Sequence, residues 1–157
     1  MCAGKSKPDR YREIRNRKAH HDFFVGDKYE AGLALRGAEV KSVREGKAQI
    51  NDAFVRIHKG EAYLYQAHID EYRFETTQEH DPKRPRKLLL HKKEIHRLQG
   101  AMEAKGQALI PLRLYLKGHR IKVEIALCKG KKTVDKRETL KQKAELREAQ
   151  RAIRRRH

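Results

Sequence analysis

The fold is decided by residues 110–127, whose sequence is IPLRLYLKGHRIKVEIAL. Aliphatic side chains alternate with other residues on both sides of Gly118. Alternation with a period of two around a glycine turn is typical of a β-hairpin. The pattern predicts that the aliphatic residues of this hairpin share one face, which packs inward, while Arg113, Tyr115 and Lys122 face solvent.

Shorter elements are predicted on the N-terminal side of this hairpin. Strands are predicted at residues 28–35, 49–57 and 62–69, the last two joined by a turn at 58–61. Gly32 indicates either a bulge or a close backbone approach. An amphipathic helix is predicted at residues 91–104, with Gly106 just beyond it. The pattern of residues 38–45 is ambiguous and is compatible with one short helix ended by Gly46. These elements are compatible with a mainly β fold, an OB-fold-like small β-barrel with flanking helices, although composition alone also allows an open α+β sheet.

Length and composition exclude several classes of protein. A chain of 157 residues indicates one domain with tails. No stretch approaches the roughly 20 apolar residues of a membrane span, and the N-terminus has no apolar run of signal-peptide length, so we expect a cytoplasmic protein with no membrane partner. Cys2 and Cys128 lack a C-x-x-C partner, which excludes a disulfide framework and a cysteine zinc site.

Positive charge is concentrated in particular segments. The formal net charge is +18, yet residues 23–81 carry a small acidic excess, whereas both ends and residues 82–98 are strongly basic. Such segregation favours a polyanion-binding face with basic arms, and nucleic acid is the best-matched partner. RNA is favoured over DNA, because no helix-turn-helix or zinc-finger spacing is present and exposed Tyr and Arg on a small sheet suit unpaired bases.

Three regions are predicted. Residues 1–15 form a basic flexible arm, residues 16–132 form the RNA-binding barrel domain, and residues 133–157 form a basic tail. The tail has a helix-forming composition but only three bulky aliphatic side chains between residues 138 and 157, so it can bury little surface. We therefore expect it to be disordered when free and helical when it lies against RNA.

Candidate catalytic and metal-binding residues are few. His20-His21-Asp22 and His80-Asp81 combine imidazole with carboxylate, but no third partner at a fixed spacing completes a catalytic or metal-binding frame. Gly130-Lys131-Lys132-Thr133 resembles the end of a phosphate-binding loop, but Ile125 occupies the position of its first glycine. We therefore expect no catalytic residue, no metal and no cofactor.

Four segments together go beyond composition. They are NRKAHHDFF at 16–24, YEAGLALRGAEVKS at 29–42, HDPKRPRKLLL at 80–90 and GKKTVDKR at 130–137. In this order the chain resembles the bacterial SsrA-binding protein family, small protein B, from about residue 12 to its end. The resemblance implies an OB-type barrel with a basic C-terminal tail and no enzymatic activity.

The resemblance also implies partners. Members of the family bind the tRNA-like domain of transfer-messenger RNA and deliver it to stalled ribosomes for trans-translation, which rescues the ribosome and tags the nascent chain. Elongation factor Tu would be met only indirectly, through the RNA, and the protein would act as a monomer. The tail would pass the small-subunit decoding centre and enter the empty messenger channel, whose phosphates attract a basic segment.

Carried over motif by motif, the resemblance implies two sets of site residues. The RNA-binding set is Asn16, Arg17, Lys18, Glu30, Arg86, Lys87, Leu89, Lys122 and Lys129. The set for the decoding centre and messenger channel is Gly130, Lys131, Lys132, Asp135, Lys136, Arg137, Lys141, Lys143, Arg147, Arg151 and Ile153. Core packing is an equally good interpretation of Leu89. Many members carry His or Tyr just before the D-K-R motif, where this chain has Val134 and loses a stacking group.

Two alternative functions stay open at this point. A structural protein that binds ribosomal RNA permanently would be present on all ribosomes, whereas an adaptor would be enriched on stalled ones. An RNA-processing enzyme using His21, Asp22 and His80 would turn over a labelled RNA and lose this activity when both histidines are replaced by alanine.

Overall fold

A computed structural model describes residues 13–74 and 81–155. The elements follow along the chain in this order: β1 (Ile14–Arg15), α1 (Ala19–Asp22), β2 (Phe23–Leu33), α2 (Gly37–Arg44), β3 (Ala48–Gln49), β4 (Phe54–His58), β5 (Glu61–Tyr65), β6 (His68–Ile69), β7 (Arg86–Leu89), α3 (Lys92–Lys105), β8 (Ala108–Lys117), β9 (Arg120–Gly130) and α4 (Thr133–Arg155).

The predicted hairpin is confirmed as β8 and β9, which pair antiparallel around Gly118. The prediction that its aliphatic residues all share one face is wrong, because the register shifts between Pro111 and Arg113. This bulge turns Ile110 and Leu112 away from the face that carries the later leucines. Pro111 lacks an N–H, and bulges are among the few places in a sheet that accept proline.

The hairpin is part of a ring of antiparallel strands. Hydrogen-bonded neighbours run from β8 through β4, β5, β7 and β2 to β9, which pairs with β8 again. Two of these strand pairs are short. A single residue pair, Val55 and Leu109, joins β4 to β8, and two residue pairs join β2 to β7. Strands β3 and β6 form a separate two-stranded sheet. A mainly β fold with flanking helices is thus confirmed.

The apolar residues form two clusters. The main core fills the ring and includes the fully buried Leu64, Leu109 and Val123, with Leu98 of α3 packed against it. A second cluster lies on the outside of β8 and β9, beneath α1. It consists of Ala19, Ile110, Leu112, Ala126 and Cys128. Burial raises the pKa of the Cys128 thiol to about 11, so this cysteine is a packing residue rather than a nucleophile.

Several element boundaries differ from the sequence-based ones. Strand β2 begins five residues before the predicted start at residue 28, because a bulge between Val25 and Lys28 interrupts its alternation. The predicted strands 49–57 and 62–69 are each split, the first by a turn in which Ala53 N–H donates to the Ile50 carbonyl at 3.2 Å. The two predicted helices are confirmed within one residue.

Regular secondary structure extends into both of the predicted terminal regions, the arm and the tail. Ile14 and Arg15, assigned to the flexible arm, form β1 against β8, so the folded part begins before residue 16. The rest of the predicted arm, residues 1–12, lies outside the described residues. The predicted tail is helix α4, which begins at Thr133; that it unfolds in the free protein stays a prediction. None of the helices in the described ranges is long and apolar enough to cross a membrane.

Candidate RNA-binding surface

The E-A-G segment of β2 places three consecutive residues in three environments. Ala31 is buried in the main core, while Glu30 lies on the outer face of the ring. The Glu30 carboxylate accepts hydrogen bonds from the Tyr115 hydroxyl and, at 3.1 Å, from Lys117 Nζ. These two donors lower the pKa of Glu30, the tyrosine having the larger effect. Glu30 is therefore held as an ionised acceptor on the outer surface.

Gly32, the third residue of this segment, lies against Leu89. The two residues are partners in the register of β2 and β7, and a Cβ added to Gly32 would lie 3.1 Å from Leu89 Cβ. The atoms nearest to this Cβ all belong to the Leu89 side chain and not to a backbone segment, and the bulge of β2 lies between Val25 and Lys28. The Leu89 side chain lies across the glycine and is 57% exposed. Core packing, the alternative interpretation of Leu89, is therefore wrong.

Leu89 lies in a groove of about 690 Å³ formed by β7, the end of β2, the turn of the β8–β9 hairpin and the start of α3. Lys87 and Lys122 also line it, and Lys122 is the register partner of Gly32 on β9. Lys87 Nζ is paired with the Glu61 carboxylate at 2.8 Å. The Lys122 side chain has no salt-bridge partner within residues 13–74 and 81–155, although its charge is among those that lower the pKa of Glu30. The groove thus offers an exposed apolar side chain beside a cation that is not held in an ion pair.

The other predicted solvent-facing residue of the hairpin, Arg113, is compensated. Its guanidinium donates to Glu124 at 2.6 Å and to Glu13, and it lies 4.8 Å from the Tyr115 ring centroid. Burial and the bond to Glu30 raise the pKa of Tyr115 to about 12, so its hydroxyl stays protonated. Lys122 and Arg120, which both line the groove, are therefore hairpin cations that remain available to a polyanion.

Arg86 was predicted to bind RNA, and the structure contradicts this. Its side chain is fully buried and donates to the Glu39 carboxylate at 2.9 Å and to the backbone carbonyls of Ala67 at 2.7 Å and Pro82 at 3.0 Å. Arg84 donates to the same carboxylate at 2.6 Å. The basic loop before β7 is thus partly neutralised and fastened to α2.

Asn16 was also predicted to bind RNA, but it is buried in a structural role. Its side-chain nitrogen donates to the Pro111 carbonyl at 2.9 Å, and its oxygen accepts from the backbone N–H groups of Lys18 and Ala19, both at 3.1 Å. Asn16 therefore holds α1 against the bulge of β8. Lys18 pairs with Asp52 at 2.9 Å, and Arg17 remains exposed.

Residues of the G-K-K and D-K-R motifs join α4 to α1. Lys131 Nζ donates to the His20 carbonyl at 2.9 Å and to Thr139 Oγ1 at 3.2 Å. Lys136 Nζ lies 3.4 Å from Asp22 Oδ1. Two of the cations predicted for the decoding centre are thus engaged within the protein at the beginning of the tail helix.

The candidate catalytic pair of His21 and Asp22 belongs to the same contact between α1 and α4. The same carboxylate oxygen lies 2.8 Å from His21 Nδ1, and the bond to His21 followed by that to Lys136 lowers the pKa of Asp22. This pairing is structural, because it fixes the beginning of α4. His80, the other histidine of the enzymatic alternative, lies outside the described residues. Within the described ranges no three His, Cys, Asp or Glu side chains converge as metal ligands.

The remaining predicted tail and motif residues are at the surface. Lys129 and Gly130 end β9, and Asp135 accepts from the Lys132 N–H at 3.3 Å in the first turn of α4. Val134 is 65% exposed. The remaining predicted tail residues lie along α4 with exposed side chains, namely Arg137, Lys141, Lys143, Arg147, Arg151 and Ile153.

Comparisons with known proteins identify the family to which the chain belongs. The family described as SmpB protein matches residues 13–155. The chain belongs to the SmpB family. It is 52% identical to the SsrA-binding protein of Geobacter sulfurreducens over 88% of this chain and 91% of that protein. It is 51% identical to the SsrA-binding protein of Shouchella clausii over 90% of this chain and 91% of that protein.

A solved structure is similar as well. It is described as "tmRNA-SmpB: a journey to the center of the bacterial ribosome", and its chain is 44% identical with a TM-score of 0.65. The alignment covers 77% of this chain and 85% of that chain. The family and the fold are therefore both established for this protein.

Sequence reasoning missed the groups that organise the SmpB-family surface. Glu39 gave a weak signal, since it lies in the first turn of the helical segment, three residues after the N-cap Arg36. The bond from Tyr115 to Glu30 spans 85 residues and gave no local signal. The link from Lys131 to the His20 backbone spans 111 residues, and no side-chain pattern encodes it.

Proposed function

We propose that this protein is a non-enzymatic RNA-binding adaptor that binds the tRNA-like domain of transfer-messenger RNA and delivers it to stalled ribosomes for trans-translation. The names of its relatives, SsrA-binding protein, and the tmRNA–SmpB description of the solved neighbour support this assignment. Elongation factor Tu is met only through the RNA, and the protein acts as a cytoplasmic monomer.

The observation that carries the RNA-binding part is the groove beside Leu89. An exposed leucine costs free energy on a surface that has no partner, because its apolar surface orders water, while the hydrated Lys122 ammonium beside it can pair with an anion. RNA satisfies both groups, since ribose and base faces are apolar while phosphates are anionic. Glu30 adds an acceptor for a base amino group or a 2′-hydroxyl.

The observation that supports the ribosomal part is α4. Between Thr133 and Arg155 it carries basic side chains on an almost wholly exposed helix, and its bonds to the rest of the fold are made near its beginning, by Lys136 with Asp22 of α1 and by Thr139 with Lys131. A helix of this kind has little to stabilise it apart from a polyanionic surrounding. An empty messenger channel lined with phosphates is such a surrounding.

The first experiment tests the groove. Leu89→Ala and Lys122→Ala should each weaken binding to the isolated tRNA-like domain by roughly 5- to 150-fold, because losing one such contact costs about 1–3 kcal/mol. Leu140→Ala and Lys105→Ala are matched controls, since both side chains are exposed and lie away from the groove. Dissociation constants for the groove variants within twofold of these controls would remove the groove from the interface.

The second experiment separates RNA binding from delivery. A chain truncated after Arg137 keeps every strand and the groove but loses most of α4. It should bind the tRNA-like domain with nearly unchanged affinity and fail to support tagging of chains on stalled ribosomes in a reconstituted system. Normal tagging by the truncated chain would contradict the role given to α4. Equal recovery of the full chain on all translating ribosomes would favour a structural ribosomal protein instead.

A further inference from the structure

A second group of side chains on the outer face of the ring suits nucleic acid. Phe54 on β4 and Tyr65 on β5 are register partners, and their rings stack with centroids 5.6 Å apart and planes inclined by 10°. The Arg56 guanidinium lies 5.1 Å from the Phe54 ring centroid. Arg56 in turn faces Tyr63 across the two strands. We call Phe54, Arg56, Tyr63 and Tyr65 the aromatic platform.

Most of the platform lies outside the two apolar clusters. Phe54 packs against the second cluster, whereas Arg56, Tyr63 and Tyr65 belong to neither. Along β4 and β5 the residues that alternate with the platform, Val55, Ala62 and Leu64, are fully buried and fill the core. The outward positions of a solvated hairpin usually carry polar residues. Here three of them are half-buried aromatic rings and one is an exposed arginine that lies against a ring. Stacked rings with a cation at their edge are the arrangement by which proteins hold unpaired bases.

The platform also borders the groove. Tyr63 is the register partner of Lys87, which lines the groove, and Leu89 lies two residues further along β7 on the same exposed face. The platform and the groove therefore lie next to each other on the outer surface formed by β4, β5 and β7. Arg56 and the nearby Lys59 are exposed and supply positive charge for the phosphates of a strand that crosses this surface.

We propose that the aromatic platform stacks an unpaired nucleotide of the bound RNA, so that the RNA interface extends from the groove across β5 to β4. This inference rests on the proposed function, because it assumes that RNA occupies the groove. The base stacks on the Tyr65 ring, the Phe54 ring packs against Tyr65, and the Arg56 guanidinium pairs with a phosphate next to that base.

The absence of tryptophan from the chain allows a direct test. Tyr65→Trp introduces a single tryptophan into the platform, and its fluorescence should be quenched in a saturable way by the tRNA-like domain and by a twelve-residue oligouridylate. Tyr72→Trp is the matched control, since Tyr72 lies outside the platform with Lys41 Nζ 5.1 Å from its ring centroid. Its fluorescence should not change with either RNA.

Affinity measurements complete the test. Tyr65→Leu keeps an apolar side chain on the surface but removes the π face, and it should weaken binding of the tRNA-like domain about 5- to 100-fold. Tyr65→Phe, which keeps an aromatic ring, should bind the tRNA-like domain as tightly as the wild type does. Circular dichroism melting of both variants checks that the fold is retained; should Tyr65→Leu unfold, the quenching of the Tyr65→Trp variant alone decides.

The outcomes separate this inference from the proposed function. Unquenched fluorescence of the Tyr65→Trp variant while it binds the tRNA-like domain with wild-type affinity would overturn the platform and leave the proposed function intact. Failure of the wild-type chain to bind the tRNA-like domain would overturn the proposed function itself. Quenching of the Tyr72→Trp variant as strong as that of the Tyr65→Trp variant would show non-specific coating by RNA and would also overturn the platform.

Discussion

Glu39→Gln tests whether the charge cluster of Glu39, Arg84 and Arg86 is structural. Glu39 is fully buried and accepts hydrogen bonds from Arg84 Nη2 at 2.6 Å, from Arg86 Nη2 at 2.9 Å and from the Arg36 backbone N–H at 2.9 Å. Glutamine has the same shape but no charge, and it presents an NH₂ group where the carboxylate accepts. The substitution leaves the buried guanidinium of Arg86 without a counterion.

Two independent considerations give the size of the effect. Burial alone would raise the pKa of Glu39, but the bonds from Arg84 and Arg36 and the charge of Arg86 outweigh it and hold the pKa at about 2, below the ordinary 4.5. A lowering of this size corresponds to about 3 kcal/mol. Removing one partner of a buried ion pair costs about 3–5 kcal/mol. We therefore expect a fall in melting temperature of about 6–20 °C.

The dependence on pH follows with a definite sign. A carboxyl group whose pKa is lowered on folding stabilises the protein at pH values above its ordinary pKa. For Glu39 this contribution is complete above about pH 4.5 and is lost as the pH falls from there towards 2. The difference in unfolding free energy between the wild type and Glu39→Gln should therefore shrink over that range.

Thermal and urea unfolding, each followed by circular dichroism, measure this prediction. The control is Glu45→Gln, because Glu45 pairs with Lys47 at 2.9 Å but both side chains are substantially exposed, and such a pair contributes less than about 1 kcal/mol. At a temperature where Glu39→Gln is folded, its affinity for the tRNA-like domain should stay within about threefold of wild type. Stability equal to that of Glu45→Gln, together with a tenfold loss of RNA affinity, would refute the structural role and return Arg86 to the RNA interface.

Three further predictions concern the bulge of β2, the beginning of α4 and salt. Gly26→Ala should destabilise the fold by about 1–3 kcal/mol in urea unfolding, because its new Cβ would lie 2.8 Å from the Leu127 carbonyl oxygen, whereas Gly100→Ala in open space on α3 should stabilise it by about 0.5–1 kcal/mol. Asp22→Asn should change the unfolding free energy by less than about 1 kcal/mol, because the Asp22–Lys136 pair is partly exposed. Since this pair orients α4, the substitution should broaden the distance distribution between spin labels on cysteines introduced at positions 59 and 143. An unchanged distribution would exclude this role. Binding of the tRNA-like domain should fall log-linearly with salt, with a slope reduced by about one in Lys122→Ala; an equal slope would place Lys122 away from phosphate.

Local patterns predicted those parts of the fold that are encoded within about fifteen residues. The β8–β9 hairpin has its alternation and its glycine turn in one stretch, and α3 has its apolar spacing and Gly106. The patterns failed where a single residue changes the phase of a strand. The bulges near Pro111 and Gly26 each turn the following side chains to the opposite face, and no local rule says which residue is left unpaired.

Positively charged residues were the least predictable part of the site. Lys87, Arg86 and Lys122 have the same sign and were assigned the same role, yet one is paired at the surface, one is buried and one is available. The difference comes from acidic residues that are distant in sequence, because Glu39 is 47 residues from Arg86 and Glu61 is 26 residues from Lys87. A charge run shows how many cations are present but not which of them have counterions in the fold.

The two proposed contacts lie at opposite ends of β9. Lys122, in the groove, lies near the start of this strand, and Gly130, where the chain leaves towards α4, lies at its end. Eight residues of extended chain separate them by about 26 Å. Strand β2 pairs with β9 over the same span, from the Gly32–Lys122 pair to the Phe23–Gly130 pair, with a bulge between Val25 and Lys28. Because the strand that connects the two contacts is built into the ring, we expect substitutions of buried β9 residues to disturb the fold and substitutions of exposed α4 residues to leave it intact.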